Sequence, residues 1–253
     1  MKKLSFVLFL AAMVALSACK KDDENNDMDG TGQFKIELEH TFGANAFELN
    51  SANFYTTGSG ETVKFSMLKY YVSNIVLTKS DGTTWVQPDS YYLVDAENPA
   101  STILTIGNVP AGDYTSMSFV LGVDSTRNVS GAQTGALSTA NGMFWSWNSG
   151  YIFFKAEGEC PQSGTGNFTY HIGGFSGANN ALRTINIDFT GAKAEVRKDA
   201  ASQAHIAVDV AQAFDANPAL VIANTNMIHM PGAGAAQMSS RYQNMFEFEH
   251  IHN

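Results

Sequence analysis

The chain has little cysteine. Its two cysteines are Cys19, close to the N-terminus, and Cys160. We expect Cys19 to carry a lipid, so no disulfide can form within the folded region. A hydrophobic core must therefore stabilise the domain, and about 220 residues are enough to build one.

Basic residues are also few: the chain has 15 lysines and arginines, 24 acidic residues and a net charge of −9. Removing residues 1–18, which contain two lysines and no acid, takes the net charge to −11. Proteins that bind nucleic acid present a basic surface to the phosphate backbone. The sequence therefore predicts that no nucleic acid is bound.

Motifs of the common enzymes are absent as well. The sequence has no G-x-S-x-G motif, no P-loop and no dinucleotide-binding glycine pattern after a predicted strand. Cys160 lies in a predicted loop, with no histidine close to it in sequence to activate the thiol. We therefore predict that the protein is not an enzyme. The enzymatic alternative is a hydrolase of envelope or dietary polymers, which would need a cleft with two facing carboxylates.

An apolar run at residues 4–16 follows Lys2 and Lys3 and ends just before Ser17, Ala18 and Cys19. A basic start, a short apolar stretch and small residues before a cut are typical of a secretory signal peptide. The run is too short to span a bilayer. Cysteine directly after the cut resembles the bacterial lipobox, in which the thiol receives a diacylglycerol. We predict a lipoprotein signal peptide at residues 1–18 and lipidation of Cys19; the alternative is an ordinary signal peptide with an incidental cysteine.

Residues 19–32 are predicted to form a flexible acidic tether, because residues 20–27 have almost no apolar side chains to bury. Lysine followed by acidic residues after the lipidated cysteine resembles the surface-export signal of Bacteroidetes lipoproteins. A plain charged spacer fits the same residues. The prediction is a lipid-anchored protein of the outer membrane or cell surface, folded over residues 33–253.

Strands are predicted wherever apolar and polar residues alternate. Phe34, Ile36 and Leu38, for example, share one face of the first predicted strand. A spacing of three and four residues predicts one helix through Ala235 and Tyr242. The fold class is therefore all-β, a single antiparallel β-sandwich with one short helix in the C-terminal region. Further strands are predicted at residues 63–78, 91–94, 103–106, 114–123, 151–156, 184–189, 205–210 and 246–252.

Three of the six histidines continue apolar strand faces. His40 extends the first strand's apolar face, and His250 and His252 extend that of the last strand. Because two residues separate them, His250 and His252 should point the same way, as in imidazole sites for copper or zinc. If the first and last strands are neighbours, all three histidines converge. Alternatively, they are strand-end histidines held by hydrogen bonds or exposed to solvent; His171 and His229 are single occurrences that favour a structural role.

The densest aromatic block surrounds Trp145 and Trp147, and on physical grounds it is compatible with a core. Together with other short motifs it resembles the copper-binding MbnP-like domain, which related copper-repressible surface proteins of methane oxidisers share. The resemblance runs from about Gln33 to His252, and the Met-Phe-Trp-Ser-Trp-x-x-Gly-Tyr block is its most specific part. The motifs are Leu68 to Leu77 followed by Asp81-Gly82, Gly122-Val123-Asp124, Gly135-Ala136-Leu137, Met143 to Trp147, Gly150-Tyr151, Glu157-Gly158 and Tyr170-His171-Ile172-Gly173.

The resemblance implies a β-sandwich that binds copper outside the cytoplasm. In the family, histidines coordinate copper together with a tryptophan that a partner dihaem peroxidase of the MbnH type oxidises to kynurenine. The matching tryptophans are Trp145 and Trp147, one of which would be modified. Relatives often carry histidines where this chain has Ser73 and Val129. Either the remaining histidines form a rearranged site, or this member has kept the fold without the metal.

The sequence thus favours a lipid-anchored, non-enzymatic protein that binds copper for capture or handling in the envelope. Its candidate ligands are His40, His171, His229, His250 and His252. The principal alternative is a metal-free binding or adhesion module that presents loops from a β-sandwich, since a fold alone does not fix a function.

Overall fold

The structure is a computed structural model that describes residues 28–146, 148–198 and 200–253. The predicted signal peptide, the lipidation site Cys19 and the candidate Trp147 lie outside the described residues. The first strand begins at Thr31, two residues before the predicted start of the domain. None of the helices in the described ranges has the length and apolar character needed to cross a membrane.

Strands are the main regular secondary structure of the described residues, and helices are few, so the all-β fold class is confirmed. The strands are β1 (Thr31–Phe42), β2 (Asn45–Ala46), β3 (Tyr55–Thr56), β4 (Thr62–Lys79), β5 (Thr84–Val86), β6 (Tyr91–Asp95), β7 (Ile103–Pro110), β8 (Gly112–Leu121), β9 (Phe144–Ser146), β10 (Gly150–Tyr151), β11 (Phe154–Glu159), β12 (Asn167–Ile172), β13 (Arg183–Asp188), β14 (Ala194–Val196), β15 (Ala201–Asp209), β16 (Met227–Ile228) and β17 (Phe246–His252). The helices are α1 (Ser125–Asn128), α2 (Gln212–Asp215) and α3 (Ala233–Tyr242).

Two sheets carry most of these strands. A five-stranded sheet has the order β17-β15-β1-β2, with β7 also paired to β1. A ten-stranded sheet has the path β13-β8-β4-β11-β12-β16. Of its four remaining strands, β14 pairs with β8, and β3, β5 and β6 pair with β4. The small hairpin of β9 and β10 stands beside them.

The expectation of purely antiparallel sheets is wrong. β1 pairs with β15 in parallel, and β12 pairs with β16 in parallel. Alternation of side chains has the same period in both kinds of sheet, so it carries no information on strand direction. The sandwich arrangement stays a prediction.

A continuous hydrophobic core joins the two sheets. Phe34, Ile36 and Leu38 of β1 are buried, as their alternation predicts. The side chain of Phe246 on β17 packs against the larger sheet. Its ring centroid lies 5.2 Å from that of Phe119 and 6.0 Å from that of Tyr70. Such aromatic pairs add packing energy beyond the area they bury. The core therefore fixes β17 against the rest of the molecule.

The predicted C-terminal helix is α3. Its buried residues are Ala235, Met238, Ser239 and Tyr242, three of which belong to the spacing seen in the sequence. The Tyr242 ring stacks on Phe154 of β11 with a centroid distance of 4.8 Å. The helix covers the end of the larger sheet and leads the chain into β17.

Candidate metal centre

Three histidines form a cluster that we call the histidine triad: His205 on β15, and His250 and His252 on β17. Each offers one possible ligand atom, and these atoms all lie within 4.8 Å of one another. The His250 and His252 Nε2 atoms are 3.1 Å apart. The ring centroid of His205 lies 4.3 Å from that of His250 and 4.9 Å from that of His252.

A β-bulge places the triad on the outer face of the five-stranded sheet. His205 pairs with His250, but the next residue, Ile206, pairs with Phe248, so Glu249 is the extra residue. An extra residue in one strand reverses the side-chain alternation beyond it. Phe248 therefore faces the core, where its ring lies 5.3 Å from that of Phe189, while His250 and His252 face outward.

The expected continuation of one face from Phe246 and Phe248 to His250 and His252 is therefore wrong. The sequence shows unbroken alternation, and the bulge is set by how β17 pairs with β15. His205 was not among the candidate ligands. The available signal was its place on β15, opposite in face to the buried Ile206 and Val208.

The surroundings of His205 orient its ring. Its Nε2 atom lies 3.0 Å from Gln203 Nε2 and 3.4 Å from Glu37 Oε2. Gln203 in turn donates a hydrogen bond to Glu37 Oε2. The His205 side chain is 16% exposed, whereas His250 and His252 are exposed. Polar partners of this kind fix the orientation of metal-binding histidines.

The donor set of the triad fits a copper or zinc ion. Imidazole nitrogen binds both metals, and bonds of about 2.0–2.1 Å allow two donors 3.1 Å apart to share one ion. The rings of His205 and His250 are stacked with an interplanar angle of 14°. Because a metal lies in the plane of each imidazole it binds, the exposed His250 ring must turn to join His205 on one ion.

His40 does not join the triad. β15 lies between β1 and β17, so the first and last strands are not neighbours and the expected convergence is wrong. As predicted, His40 continues the apolar face of β1, and there its Nε2 lies 2.9 Å from Tyr70 Oη. Burial lowers the pKa of His40 from 6.5 to about 4. It is a neutral side chain of the core at physiological pH.

The burial of His40 predicts a loss of stability in acid. Unfolded His40 takes up a proton near pH 6.5 and folded His40 only near about pH 4, so the unfolded state binds more protons between these values. The free energy of unfolding should fall across this range by up to about 3 kcal/mol, at 1.36 kcal/mol per pKa unit. His40→Phe should show a flatter pH dependence in urea unfolding between pH 7 and pH 4.5. An unchanged slope would contradict this.

His171 and His229 form a second pair, on the outer face of the ten-stranded sheet. Their rings stack with a centroid distance of 4.8 Å and an interplanar angle of 17°. His171 Nε2 lies 2.7 Å from Glu157 Oε1. Burial lowers the pKa of His171 more than the hydrogen bond to Glu157 raises it. The structure thus brings these two predicted ligands together, apart from the other three.

Trp145 of β9 packs against Gly173, which follows β12. Its ring packs over Gly173, so closely that a Cβ added there would lie 2.7 Å from Trp145 Cζ3. Gly173 follows His171 by two residues, just beyond the end of β12. Trp145 is half-buried and contacts the hydrophobic core.

Ser73 and Val129, the two positions where the family resemblance led us to expect histidine, offer no imidazole. Ser73 is buried and donates a hydrogen bond to the Gly122 carbonyl oxygen at 2.8 Å. Val129 is 68% exposed at the end of α1. The described histidines therefore lie elsewhere, in the triad, in the His171–His229 pair and at His40.

Comparisons with known proteins give a family match and a solved structure of similar fold. The sequence model of the MbnP family matches residues 31–231. The solved structure of MbnP from Methylosinus trichosporium has a similar fold, with a TM-score of 0.55 and 16% identity over 80% of this chain and 82% of that one. A search among curated proteins found no match. The family match contains His205 but ends before β17, which carries His250 and His252.

Proposed function

Because the chain belongs to the MbnP family, we propose that it is a lipid-anchored, non-enzymatic protein that binds copper for capture or handling at the outer membrane or cell surface. The histidine triad is the observation that carries the proposal. Copper(II) has the highest affinity of the divalent first-row metals for nitrogen donors, which suits a site of three imidazoles.

The triad supports copper binding despite the changes at Ser73 and Val129. His250 and His252 lie on β17, outside the region that the family model matches. The ligands of this chain would thus come in part from its own C-terminal strand. Gln203 and Glu37 orient the His205 imidazole, while the two exposed histidines would approach the ion from β17.

Calorimetric titration of the mature chain with copper tests the proposal. We expect one equivalent of copper to bind with high affinity. The metal-free binding module, which is the alternative, would take up no stoichiometric copper. That outcome would reject the copper function.

The anchor is proposed from the lipobox and tested separately. Cys19→Ala should release the protein from membranes, because the diacylated cysteine supplies the apolar chains that hold it there. Fractionation of cells that express wild type and Cys19→Ala, with a high-salt wash of the membranes, measures the effect. Retention of the variant in washed membranes would exclude a lipid anchor at this residue.

Oxidation of one tryptophan by a dihaem peroxidase of the MbnH type is the remaining part of the proposal. Trp145 is half-buried beside Gly173, close in the chain to His171. Kynurenine would give that position an aromatic amine and a carbonyl, which indole lacks. Peptide masses of native protein, compared with Trp145→Phe and Trp147→Phe, identify the modified residue. Unmodified tryptophans in native material would remove the peroxidase from the proposal.

A further inference from the structure

We propose that His171, His229 and Met227 form a second metal site, selective for a soft monovalent cation such as Cu(I), on the outer face of the ten-stranded sheet. This site is separate from the histidine triad and does not depend on it. It combines two imidazoles with one thioether.

Strand register brings the three side chains to one face. In the parallel pairing of β12 and β16, Thr169 lies beside Met227 and Tyr170 lies beside Ile228. Tyr170 is fully buried, so Thr169 and Met227, one position away, face outward. His171 lies two residues further along β12, and His229 follows Met227 by two residues, just past the end of β16. Their stacked rings show that they share this outward face.

Glu157 on the neighbouring β11 prepares His171 for metal binding. Its carboxylate lies 2.7 Å from His171 Nε2, which leaves Nδ1 as the ring nitrogen open to a ligand. Lys155 lies 3.5 Å from the same carboxylate oxygen. A carboxylate on the second nitrogen is the usual support of a metal-binding histidine.

Methionine gives this site its selectivity. Met227 is 56% exposed, and Met230 on the other side of His229 is 55% exposed. Thioether sulfur is a soft donor that favours Cu(I) over Zn²⁺ or Mg²⁺. The mixed nitrogen and sulfur set therefore points to a reduced, monovalent ion.

One side chain must move to complete the site. The stacked rings of His171 and His229 lie in nearly parallel planes, which cannot share one ion. His171 is held by Glu157, whereas His229 is exposed beyond the end of β16. Binding should therefore turn the His229 ring out of the stack and leave His171 in place.

Silver(I) is the probe, because it is soft and monovalent and does not change oxidation state in air. The mature chain carrying His250→Asn/His252→Asn is titrated with silver nitrate in chloride-free buffer, so that the triad cannot contribute. We expect one equivalent of Ag(I) to bind and to shift the NMR signals of His171 and His229. Zn²⁺ should bind far more weakly.

Variants identify the donors in the same background. Met227→Leu, which preserves volume, should remove the preference for Ag(I) over Zn²⁺. Glu157→Gln should lower Ag(I) affinity about 10–100-fold, as expected for the loss of a carboxylate that supports a ligand. Met28→Leu is the matched control, since Met28 is 51% exposed near the start of β1 and should have no effect.

Two results would overturn the site. One is the absence of Ag(I) binding in the folded background protein, and the other is a selectivity unchanged by Met227→Leu. Neither result depends on whether copper binds the triad. Failure of this site and failure of the proposed function are therefore distinguishable.

Discussion

Replacing both His250 and His252 by asparagine should abolish copper binding at the triad while the protein still folds. The double change leaves His205 as the one imidazole of the cluster, and a single imidazole on the protein surface does not hold an ion tightly. Both side chains are exposed on the outer face of an edge strand. Surface changes of this kind usually alter stability by no more than about 0.5 kcal/mol. Calorimetric titration of wild type and double variant with copper measures the loss of binding, and urea unfolding of the same two proteins measures the stability.

His229→Asn is the matched control, because it also removes an exposed histidine but lies outside the triad. It should leave Cu(II) affinity at the triad unchanged. In the wild type, copper affinity should weaken as pH falls, since only neutral imidazole binds metal and protons compete for its nitrogen. Copper binding that survives the double variant at full affinity would place the copper site elsewhere in the chain.

The strands of the domain were predictable from sequence because burial on one face imposes a period of two. The first strand was predicted from Gln33 and is β1, Thr31–Phe42, while the last was predicted at residues 246–252 and is β17, Phe246–His252. The helix also followed from its spacing, since α3 buries Ala235, Met238 and Tyr242. These features depend on local pattern alone.

The candidate site was less predictable because it depends on strand order. Nothing local to His40 or His252 indicates that β15 lies between their strands. The bulge at Glu249 cannot be read from the sequence either. The sequence alternates without a break, and Glu249 becomes an extra residue only through the way in which β17 pairs with β15. His205 therefore replaces His40 in the cluster.

The Gly150-Tyr151 motif, which resembles the family, is explained by the packing of the fold. In Gly150-Tyr151, Gly150 has a φ of +76°, and a Cβ there would lie 2.1 Å from Asn128 Oδ1. That oxygen accepts a hydrogen bond from the Tyr151 backbone N–H at 2.9 Å. Glycine is needed at this position because the backbone approaches a buried side chain. A shared motif of this kind shows a common fold without supplying a metal ligand.

Gly158→Ala should destabilise the protein by at least about 3 kcal/mol, the upper end of the usual cost of overpacking. Gly158 lies in β11 between β4 and β12, where the pairing register with β4 shifts between Glu157 and Gly158. A Cβ there would lie 1.9 Å from the Lys64 carbonyl oxygen and 2.9 Å from Phe168 Cε1. The Lys64 carbonyl oxygen belongs to the backbone of β4, so the clash can be removed only if β4 and β11 move apart.

Gly164→Ala is the control that separates this clash from the loss of glycine as such. A Cβ at Gly164 meets nothing within 4 Å. Alanine there should be neutral or should stabilise the protein by about 0.4–1 kcal/mol, because it lowers the conformational entropy of the unfolded chain. Urea unfolding should show a large drop in midpoint for Gly158→Ala alone. Because Glu157 adjoins Gly158, the same variant should also displace the carboxylate that holds His171. Equal midpoints for the two variants would mean that β11 and β4 do not approach as closely as the structure shows.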